Sequence, residues 1–504
     1  MRQSVERARG TLSAAGIRKW IGILLAVLVV LTALRQGLLI GRIGFDGENS
    51  PTESESLFAV SRLHNGGPLY LDYTRPPYAI TAYMPLFYWS SAWVARPART
   101  WLEMIVAARW SVYPFWVGIG VAIFLLARQV GCSRRAALLA TLLWGASELG
   151  QEWANSFRPD AAALFFSLAA LWVYQRGRAP IHLAGSVALL IVGTMYKHTV
   201  FAPLVVISLE EILRRRLGRA IAAATTWGAV LAAVAIAAQH ATNGRFALNV
   251  FYSLAEAPSW WWTWSLLLTA LTMGAVVFFG ATIACAAPAR FPGVGLWKRY
   301  FVVSLGLAFA RSRIYGTWTN HYLEPFAAGC VLAGVLTDDL LAYSPNDVVR
   351  RAHIWWLATA LGLSVALSFE QGWRILLSSR DNTSWKELAT YVGKLDGPVL
   401  SEEPYLAVRS GRTPYMIDTS LFAHMQRIGR FDDTDLLRRI EQGELAAIIS
   451  KTPLDDSRRP VWAFPPRWLI PMRKRYHLDA RYVVPEPFSK SDDFYYVYRP
   501  KEGL

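Results

Sequence analysis

Residues 20–40 read WIGILLAVLVVLTALRQGLLI, an apolar run interrupted by one arginine near its end. A helix needs about 20 predominantly apolar residues to span a bilayer core, so this run predicts a transmembrane helix. Several basic side chains precede it, namely Arg2, Arg7, Arg9, Arg18 and Lys19. A cleavable signal peptide has a shorter apolar stretch and a small-residue cleavage site. We therefore predict a retained anchor whose N-terminus is cytoplasmic.

Further apolar runs follow the first one along the chain. They lie at about 107–127, 136–148, 161–175, 182–196, 199–213, 219–238, 265–287, 300–311, 323–342 and 353–370. Alternate connections carry basic clusters such as Arg134-Arg135 and Arg350-Arg351, and the positive-inside rule assigns that side to the cytoplasm. The sequence thus predicts a polytopic α-helical membrane protein with about 11 transmembrane helices. The shorter apolar stretch 84–97 predicts a helix in the membrane interface.

The composition agrees with a membrane protein. Hydrophobic residues make up 54% of the 504 residues and charged residues only 17%, whereas soluble domains carry about a quarter charged residues. The net charge is +16, and residues 1–370 hold 31 of the 52 Lys and Arg but 18 of the 36 Asp and Glu. The excess positive charge therefore lies among the apolar runs, as in cytoplasmic loops, and not on one soluble face as in a nucleic-acid binder.

Residues 371–504 contain no run that could span a membrane. Short β-like pieces at 397–401 and 445–450 alternate with helix-like pieces at 384–395 and 434–441. This pattern predicts a small soluble α/β domain. With an odd number of spans before it, the domain is expected outside the cytoplasm. We accordingly predict a transmembrane domain over residues 1–370 and an extracytoplasmic domain over residues 371–504.

The first predicted outer loop, about 41–106, is the longest connection between the apolar runs, and loops of this length usually have a function. It carries Asp46, Glu48, Glu53 and Glu55 within ten residues. A solvated acidic loop is one interpretation of such a cluster. The alternative is that Glu53-Ser54-Glu55 opens a helix, where the helix dipole favours carboxylates. These carboxylates would then lie at membrane level as a base or as metal ligands.

Two more polar groups lie at the ends of predicted spans. Arg158-Pro159-Asp160 begins one span, and its charged residues can form an ion pair or part of a substrate site. Lys197 lies between two short spans, where a charge is costly unless it is paired or hydrated. It is interpreted either as functional or as snorkelling to the lipid headgroups.

A third polar cluster lies at 311–324, also on the predicted outer side. Arginines there oppose the positive-inside trend, and their natural role is to bind an anion such as a lipid phosphate. The candidate residues are Arg311, Arg313, Asn320, His321 and Tyr322. No His-x-x-x-His or paired-cysteine spacing is present, so the sequence predicts no cofactor and no defined metal site. A divalent metal remains an open alternative.

In order and sidedness, these motifs resemble a known family. The order is an acidic loop, a helix ending Gly66-Gly67-Pro68-Leu69-Tyr70, then Pro76-Pro77-Tyr78 and Tyr83-Met84-Pro85-Leu86-Phe87-Tyr88, with Arg158-Pro159-Asp160, Lys197-His198-Thr199 and Asn320-His321-Tyr322-Leu323-Glu324-Pro325 following. Together they resemble the bacterial membrane glycosyltransferases of the GT-C type, the group of protein O-mannosyltransferases and the lipid A aminoarabinose transferase (glycosyltransferase family 39-like). Each motif is loose by itself, and the resemblance covers most of the chain.

The resemblance implies an activity and a set of site residues. Such enzymes move a sugar from a polyprenyl-phosphate donor to an acceptor hydroxyl on the outer face of the membrane, with inversion. A loop carboxylate acts as base, and here it corresponds to Glu53, with Glu55 second. The sequence departs from the family at residue 52, where the first acid is absent, so Asp46 or Glu48 could substitute. Substrate and phosphate contacts are then expected from Arg158, Asp160, Lys197 and the residues of the 311–324 cluster.

The implied partners are a polyprenyl-phosphate sugar, membrane lipid and an acceptor protein, lipid or polysaccharide, in the bacterial inner membrane. A phosphate-linked sugar carries its own leaving group, so no nucleotide motif is needed. Two other classes remain open. One is a transporter or flippase of a lipid-linked sugar, although no internal repeat is visible. The other is a non-catalytic scaffold that binds a lipid-linked sugar.

Overall fold

The structure is a computed structural model. It describes residues 14–501 apart from 51–52, 155, 253–258, 289–290, 315–316, all but five single positions of 344–382, 456–462 and 485–492. The predicted apolar run at 353–370 therefore lies almost entirely outside the described residues.

The first two thirds of the chain are helical. The α-helices are α1 Ala14–Ile43, α2 Glu53–His64, α3 Pro85–Val94, α4 Trp101–Val130, α5 Arg134–Ala146, α6 Glu148–Glu152, α7 Asp160–Gln175, α8 Pro180–Tyr196, α9 Ala202–Leu213, α10 Leu217–Ala241, α11 Arg245–Ala247, α12 Trp260–Met273, α13 Ala275–Ala286, α14 Val294–Arg311 and α15 Leu323–Tyr343. A π-helical turn, Leu248–Tyr252, follows α11, and a 3-10 turn, Thr319–Tyr322, precedes α15.

The last part of the chain mixes helices and strands. Its elements are α16 Thr383–Gly393, β1 Val399–Ser401, α17 Tyr405–Arg409, α18 Thr419–Arg427, α19 Thr434–Gln442, β2 Ala447–Ser450, α20 Pro466–Arg475, β3 Tyr476–Val484 and β4 Asp493–Pro500. The four strands form one sheet in the order β1-β2-β4-β3. β1 and β2 are parallel, whereas β4 is antiparallel to both of its neighbours. We call residues 374–504 the C-terminal region.

The chain divides into two compact units. The first comprises Met1–Leu38, Ile119–Glu152 and Trp260–Trp373, and the second comprises Leu39–Gly118, Trp153–Ser259 and Arg374–Leu504. The C-terminal region therefore shares a unit with the first long connection and with α7 to α10. The predicted boundary at residue 370, with an independent domain after it, stays a prediction.

Among the described residues, three helices are long and apolar enough to cross a membrane. They are Leu25–Ile43 within α1, the 30-residue α4 and the 25-residue α10, and a fourth span is possible if α12 and α13 count as one, although they are bent by 93°. The predicted runs at 161–175 and 182–196 form helices of only 16 and 17 residues. The predicted total of about 11 spans therefore stays a prediction.

Helix α2 begins and ends as its sequence requires. The Glu48 carboxylate accepts a hydrogen bond from the backbone N–H of Ser54, at 2.7 Å, in the first turn. Such a contact supplies a partner for an N–H that the helix itself leaves unpaired. At the other end Gly66 has φ +74°, a left-handed conformation that favours glycine. The backbone N–H of Gly67 then bonds the Arg62 carbonyl at 2.7 Å and closes the helix.

The second unit has one apolar core that includes residues from the first long connection and from the C-terminal region. Helix α17 packs against both α16 and α2. Tyr78 also forms an isolated parallel bridge with Met416. The acidic start of α2 is thus held beside side chains that follow it by more than 300 positions in the sequence.

Candidate functional site

The four acidic residues of the first long connection surround the start of α2. All four are buried or half-buried, so the interpretation as a freely solvated acidic loop does not describe them. Burying a carboxylate is costly unless it is paired or protonated. The partner of each carboxyl group therefore indicates its role.

Glu53 is fully engaged in a buried ion pair. Its Oε1 accepts from Arg109 Nε at 2.9 Å and from the Phe157 backbone N–H at 3.2 Å. Its Oε2 accepts from Arg109 Nη2 at 2.9 Å and from the Asn49 backbone N–H at 2.7 Å. The side chains of Arg109 and Glu53 are only 1% and 0% exposed. With four donors on two oxygens, this carboxylate presents no free lone pair to an acceptor hydroxyl in this conformation.

Asp46 is also paired with an arginine. Its Oδ2 accepts from Arg409 Nη2 at 2.8 Å, and its Oδ1 accepts from Arg409 Nε. This is the two-point geometry in which a guanidinium matches a carboxylate. Arg409 ends helix α17 in the C-terminal region, so the ion pair ties that region to the acidic connection.

Glu48 faces another carboxyl group. Burial, followed by the nearby Glu403 charge, raises the pKa of Glu48. Glu403 in turn lies 3.3 Å from Lys451 Nζ and accepts from Tyr495 OH at 3.4 Å through its Oε2. A like charge nearby disfavours ionisation, so burial and Glu403 act on Glu48 in the same direction.

Glu55 has the same kind of partner. Burial, followed by the nearby charge of Asp418 in the C-terminal region, raises the pKa of Glu55. The charge of Arg158 opposes this shift. Burial also raises the pKa of Asp418. Of the four acids, Glu55 is the one that combines a raised pKa with a neighbouring cation from the Arg158-Pro159-Asp160 motif.

Asp160 joins two cations. Its Oδ1 accepts from Lys197 Nζ at 2.5 Å, and its Oδ2 lies 3.4 Å from Arg158 Nε. The packing of α7 against α8 explains this meeting, because Asp160 begins α7 and Lys197 directly follows α8. The predicted Arg158–Asp160 pair is therefore present. Lys197 is buried in an ion pair, which disagrees with its snorkelling interpretation.

Aromatic rings surround the Arg158 guanidinium. Its central carbon lies 5.0 Å from the Trp153 ring centroid and 5.9 Å from the Tyr83 ring centroid. Burial raises the pKa of Tyr83, and Arg158 acts in the opposite direction. Tyr83 belongs to the Tyr83–Tyr88 motif of the sequence analysis. We call Glu55, Asp418, Arg158, Asp160, Lys197 and Tyr83 the polar site.

Sequence reasoning missed the contribution of the C-terminal region to this site. Asp418 precedes Thr419 and Ser420, and its side chain caps α18 by accepting from the Leu421 backbone N–H at 2.9 Å. The sequence pattern could have indicated that cap. Nothing local indicates that the same carboxyl acts electrostatically on Glu55. Glu403, which lies near Glu48, and Arg409, which pairs with Asp46, were missed for the same reason.

The other predicted cluster lies in the first unit, around the start of α15. Tyr322 is buried and its hydroxyl lies 3.1 Å from Ser312 Oγ, while the Arg313 guanidinium lies 4.2 Å from the Trp260 ring centroid. Asn320 is buried in the same turn, whereas Arg311 and His321 are half-buried. These five residues therefore form one neighbourhood, and their phosphate-binding role stays a prediction.

No group of three or more His, Cys, Asp or Glu side chains suited to a metal ion occurs within the described part of the chain. The two carboxyl pairs each supply two acidic side chains, which are fewer than metal sites usually recruit. The expectation of no cofactor, with a divalent metal as the open alternative, stays a prediction.

Comparison with known proteins identifies the class of fold. No protein-family model matches the sequence, and no curated protein sequence matches it. Among solved structures, the fold is that of GT-C membrane glycosyltransferases, which confirms the predicted resemblance at the level of the fold.

Two solved structures define that likeness. One is ArnT from Cupriavidus metallidurans bound to undecaprenyl phosphate, with 14% identity, a TM-score of 0.58, and coverage of 93% of this chain and 97% of that chain. The other is the archaeal oligosaccharyltransferase AglB from Archaeoglobus fulgidus in complex with an inhibitory peptide and a dolichol-phosphate, with 14% identity, a TM-score of 0.53, and coverage of 94% of this chain and 74% of that chain.

Proposed function

We propose that this protein is a membrane glycosyltransferase that moves a sugar from a polyprenyl-phosphate donor to an acceptor hydroxyl. The observation that carries the proposal is the polar site, in which Arg158 acts electrostatically on Glu55 and is joined through Asp160 to Lys197. Base-assisted attack with an anionic leaving group requires one carboxylate and adjacent cations. The site combines these groups within one compact unit.

The solved structures of the same fold support the choice of donor. The ArnT structure contains undecaprenyl phosphate, and the AglB structure contains a dolichol-phosphate. Both are long isoprenoid chains that end in a phosphate. We extend this chemistry to the present chain, whose apolar helices suit a lipid-borne substrate. The N-terminus is proposed to be cytoplasmic and the C-terminal region outside, in the bacterial inner membrane.

The proposed reaction has four linked changes. The acceptor hydroxyl gives its proton to Glu55, and its oxygen forms a bond to the anomeric carbon of the donor. The bond between that carbon and the phosphate oxygen breaks at the same time, which inverts the anomeric configuration. The departing polyprenyl phosphate gains negative charge, which Arg158 and Lys197 stabilise. Asp160 orients these two cations.

Glu55 replaces Glu53 as the favoured base because of their partners. The four donors around Glu53 occupy both of its oxygens. Burial raises the pKa of Glu55 instead, and a raised pKa brings a carboxylate closer to the value at which it accepts a proton efficiently near neutral pH. Glu53 is assigned the role of holding the connection in shape. Asp46 and Glu48, the other predicted substitutes, are assigned to joining the connection to the C-terminal region.

The test uses purified full-length protein in lipid with a panel of radiolabelled polyprenyl-phosphate sugars. Crude membrane serves as the acceptor source, and release of polyprenyl phosphate is followed for wild type, Glu55→Gln and Glu53→Gln. Asp72→Asn is a matched control, because Asp72 lies in the same connection and its bonds within the described part of the chain are to its neighbours Thr74 and Arg75. Wild type and the control should release the lipid, whereas Glu55→Gln should lose roughly 10²–10⁴-fold in rate.

Two results would overturn parts of this proposal. If wild type releases polyprenyl phosphate from no donor, a transporter or a non-catalytic lipid-sugar-binding protein replaces the enzyme. If Glu55→Gln keeps its rate while a correctly folded Glu53→Gln loses it, Glu53 is the base, as the sequence resemblance implies. The donor that works would identify the sugar.

A further inference from the structure

Two turns at one end of the helices α7 to α10 concentrate basic side chains. The turn between α7 and α8 carries two arginines, and the segment from the end of α9 to the start of α10 carries four, so that the set is Arg176, Arg178, Arg214, Arg215, Arg216 and Arg219. Two acids, Glu210 and Glu211, lie close to them in the sequence, which leaves four positive charges in excess. We call the six arginines the basic cluster.

The basic cluster and the polar site lie at opposite ends of the helix pair α7 and α8. Asp160 begins α7, and Lys197 directly follows α8. Arg176, in contrast, directly follows α7, and Arg178 stands two residues before α8. The two helices pack against each other, and the 16 residues of α7 give it a length of about 24 Å. The basic cluster is therefore separate from the groups assigned to the reaction.

Contacts within the protein hold the two turns together. Arg219 Nη1 donates to the Arg178 carbonyl at 2.8 Å. The hydroxyl of Tyr174, in the last turn of α7, donates to Glu211 Oε1 in the last turn of α9 at 2.7 Å. Helix α9 also packs against both α7 and α10. The arginines of the two turns therefore belong to one surface.

Most of the positive charge on this surface is not neutralised by a described acid. Arg214 lies 2.8 Å from Glu210, and the other five arginines form no ion pair within the described part of the chain. The Arg176 guanidinium lies over the Trp172 ring, with 3.8 Å between its central carbon and the ring centroid. Arg216 is half-buried, and its buried Nη1 has no hydrogen-bond partner among the described residues. A buried donor without an acceptor is costly, so Arg216 lacks a partner of opposite polarity.

Exposed apolar side chains accompany the arginines at the same end of the helices. Five of them are between 48% and 72% exposed, namely Ile181, Ile212, Leu213, Leu217 and Ile221. Arginines mixed with long aliphatic side chains suit the boundary between lipid headgroups and acyl chains. A tryptophan such as Trp172 is also typical of that boundary. A free phosphate ion would contact the cations alone, whereas a phospholipid would also cover the apolar side chains.

We propose that the basic cluster binds the phosphate of an anionic phospholipid, whose acyl chains cover the neighbouring apolar side chains. Guanidinium groups match phosphate oxygens in a two-point geometry, and basic pockets between transmembrane helices bind lipid headgroups. The exposed Arg178 and Arg215 attract the headgroup, and a small rotation of the Arg216 side chain gives its Nη1 an acceptor. This lipid is distinct from the polyprenyl-phosphate donor, and the inference goes beyond the proposed function without depending on it.

The test is native mass spectrometry of the purified full-length protein titrated with phosphatidylglycerol. Phosphatidylcholine with the same acyl chains is the comparison, because its headgroup has no net charge. Wild type should bind phosphatidylglycerol more tightly than phosphatidylcholine. The double variant Arg178→Gln/Arg215→Gln should lose roughly 30-fold in affinity for phosphatidylglycerol, because each basic residue near an anionic lipid contributes about fivefold. Its affinity for phosphatidylcholine should be unchanged.

Two control variants locate the bound lipid. Lys386→Gln/Arg427→Gln removes two positive charges from exposed positions of the C-terminal region, and Lys197→Met removes a cation of the polar site. Both should keep the wild-type affinity for phosphatidylglycerol. A loss in either control as large as in Arg178→Gln/Arg215→Gln would overturn the proposal, and the Lys197→Met case would place the lipid at the polar site. Unchanged affinity in Arg178→Gln/Arg215→Gln would overturn it as well.

Inorganic phosphate distinguishes a phospholipid from a free anion. Phosphatidylglycerol should raise the unfolding temperature of wild type, and it should do so much less in Arg178→Gln/Arg215→Gln. Inorganic phosphate should neither raise the wild-type unfolding temperature as far nor displace the lipid. If it does both, the basic cluster is a site for a free anion and the proposal fails. Equal affinity of wild type for phosphatidylglycerol and phosphatidylcholine would also contradict it, whether or not the protein transfers a sugar.

Discussion

Two pairs of acids within the same ten-residue stretch have opposite environments. Asp46 and Glu53 each face an arginine, whereas Glu48 and Glu55 each face a carboxyl group of the C-terminal region. All four are chemically similar carboxylic acids, so the difference arises from their partners. The arginines hold Asp46 and Glu53 in place, whereas burial, followed by the nearby carboxyl group, raises the pKa of Glu48 and of Glu55. Acids that hold the structure and acids that can exchange protons are thus separated by one or two residues.

The largest loss of stability is expected when the buried Arg109–Glu53 ion pair is removed by Arg109→Met. It leaves Glu53 buried and unpaired, and it frees the carbonyls of Ile43 and Phe45, which Arg109 Nη1 contacts at 3.2 Å and 2.6 Å. Loss of one partner of a buried ion pair costs about 3–5 kcal/mol, so thermal unfolding in detergent should shift strongly to lower temperature. Removing Glu53 as well, as Glu53→Leu, should restore part of this loss. An unchanged unfolding temperature would show that the buried pair is dispensable.

A smaller effect is expected where a carboxylate stands between two cations. Lys197→Met removes the 2.5 Å partner of Asp160 and one of the two proposed phosphate contacts. Release of polyprenyl phosphate should fall by roughly 10²-fold, because a preorganised charge at the leaving group is lost. Lys386→Met, at an exposed position of α16, is the control. Equal rates in the two variants would argue against a role for Lys197 at the phosphate.

The acids that face a second carboxyl group should make the stability of the protein depend on pH. The pKa of Glu48 is raised in the folded protein by burial and by Glu403, so the folded state holds a proton that the unfolded chain releases near pH 4.3. Stability should therefore fall as pH rises from about 4.3 to the folded pKa, by at most about 1.4 kcal/mol per pH unit for one proton. Unfolding temperatures of Glu48→Gln, measured across this range, should depend less on pH than those of wild type. A parallel dependence would contradict the raised pKa of Glu48.

The smallest effect on stability is expected for an ion pair at the surface, in contrast with the buried Arg109–Glu53 pair. Arg75 lies 3.6 Å from Asp72 in the same connection, and the two side chains are 82% and 38% exposed. Exposed pairs contribute about 0–1 kcal/mol. Arg75→Met should leave the unfolding temperature almost unchanged, in contrast with Arg109→Met. A large shift would mean that residues 72–75 have a structural role beyond this pair.

The helices of this fold could be predicted from the sequence more closely than their number of membrane crossings. The predicted runs at 219–238 and 323–342 correspond to α10 and α15 within a few residues. Hydrophobicity alone does not fix length or continuity, however. The run at 265–287 is divided at Gly274 into two helices bent by 93°. A Cβ at this position would meet Phe278 and Phe326 at 2.9 Å, so glycine permits the close packing at the break.

The site could be predicted only where its residues are close in sequence. Residues 53–55 do open a helix, and Arg158 and Asp160 do pair, because both arrangements depend on local geometry. The partners that decide the roles of the acids are distant. Arg109 follows Glu53 by 56 residues, and Arg409 follows Asp46 by 363. No pattern in the sequence separates Glu53 from Glu55, since their difference lies in tertiary contacts.

The 363-residue separation of Asp46 and Arg409 also dictates an order of assembly during biosynthesis. The ribosome makes the acidic stretch early, and Arg109 can neutralise Glu53 as soon as α4 has emerged. Asp46, Glu48 and Glu55 must wait until residues 403–418 have been synthesised. Until then, three acids lack their native counterparts, and the chain holds no finished base. The enzyme proposed here would remain inactive during that part of its synthesis and become competent only when residues 403–418 have folded.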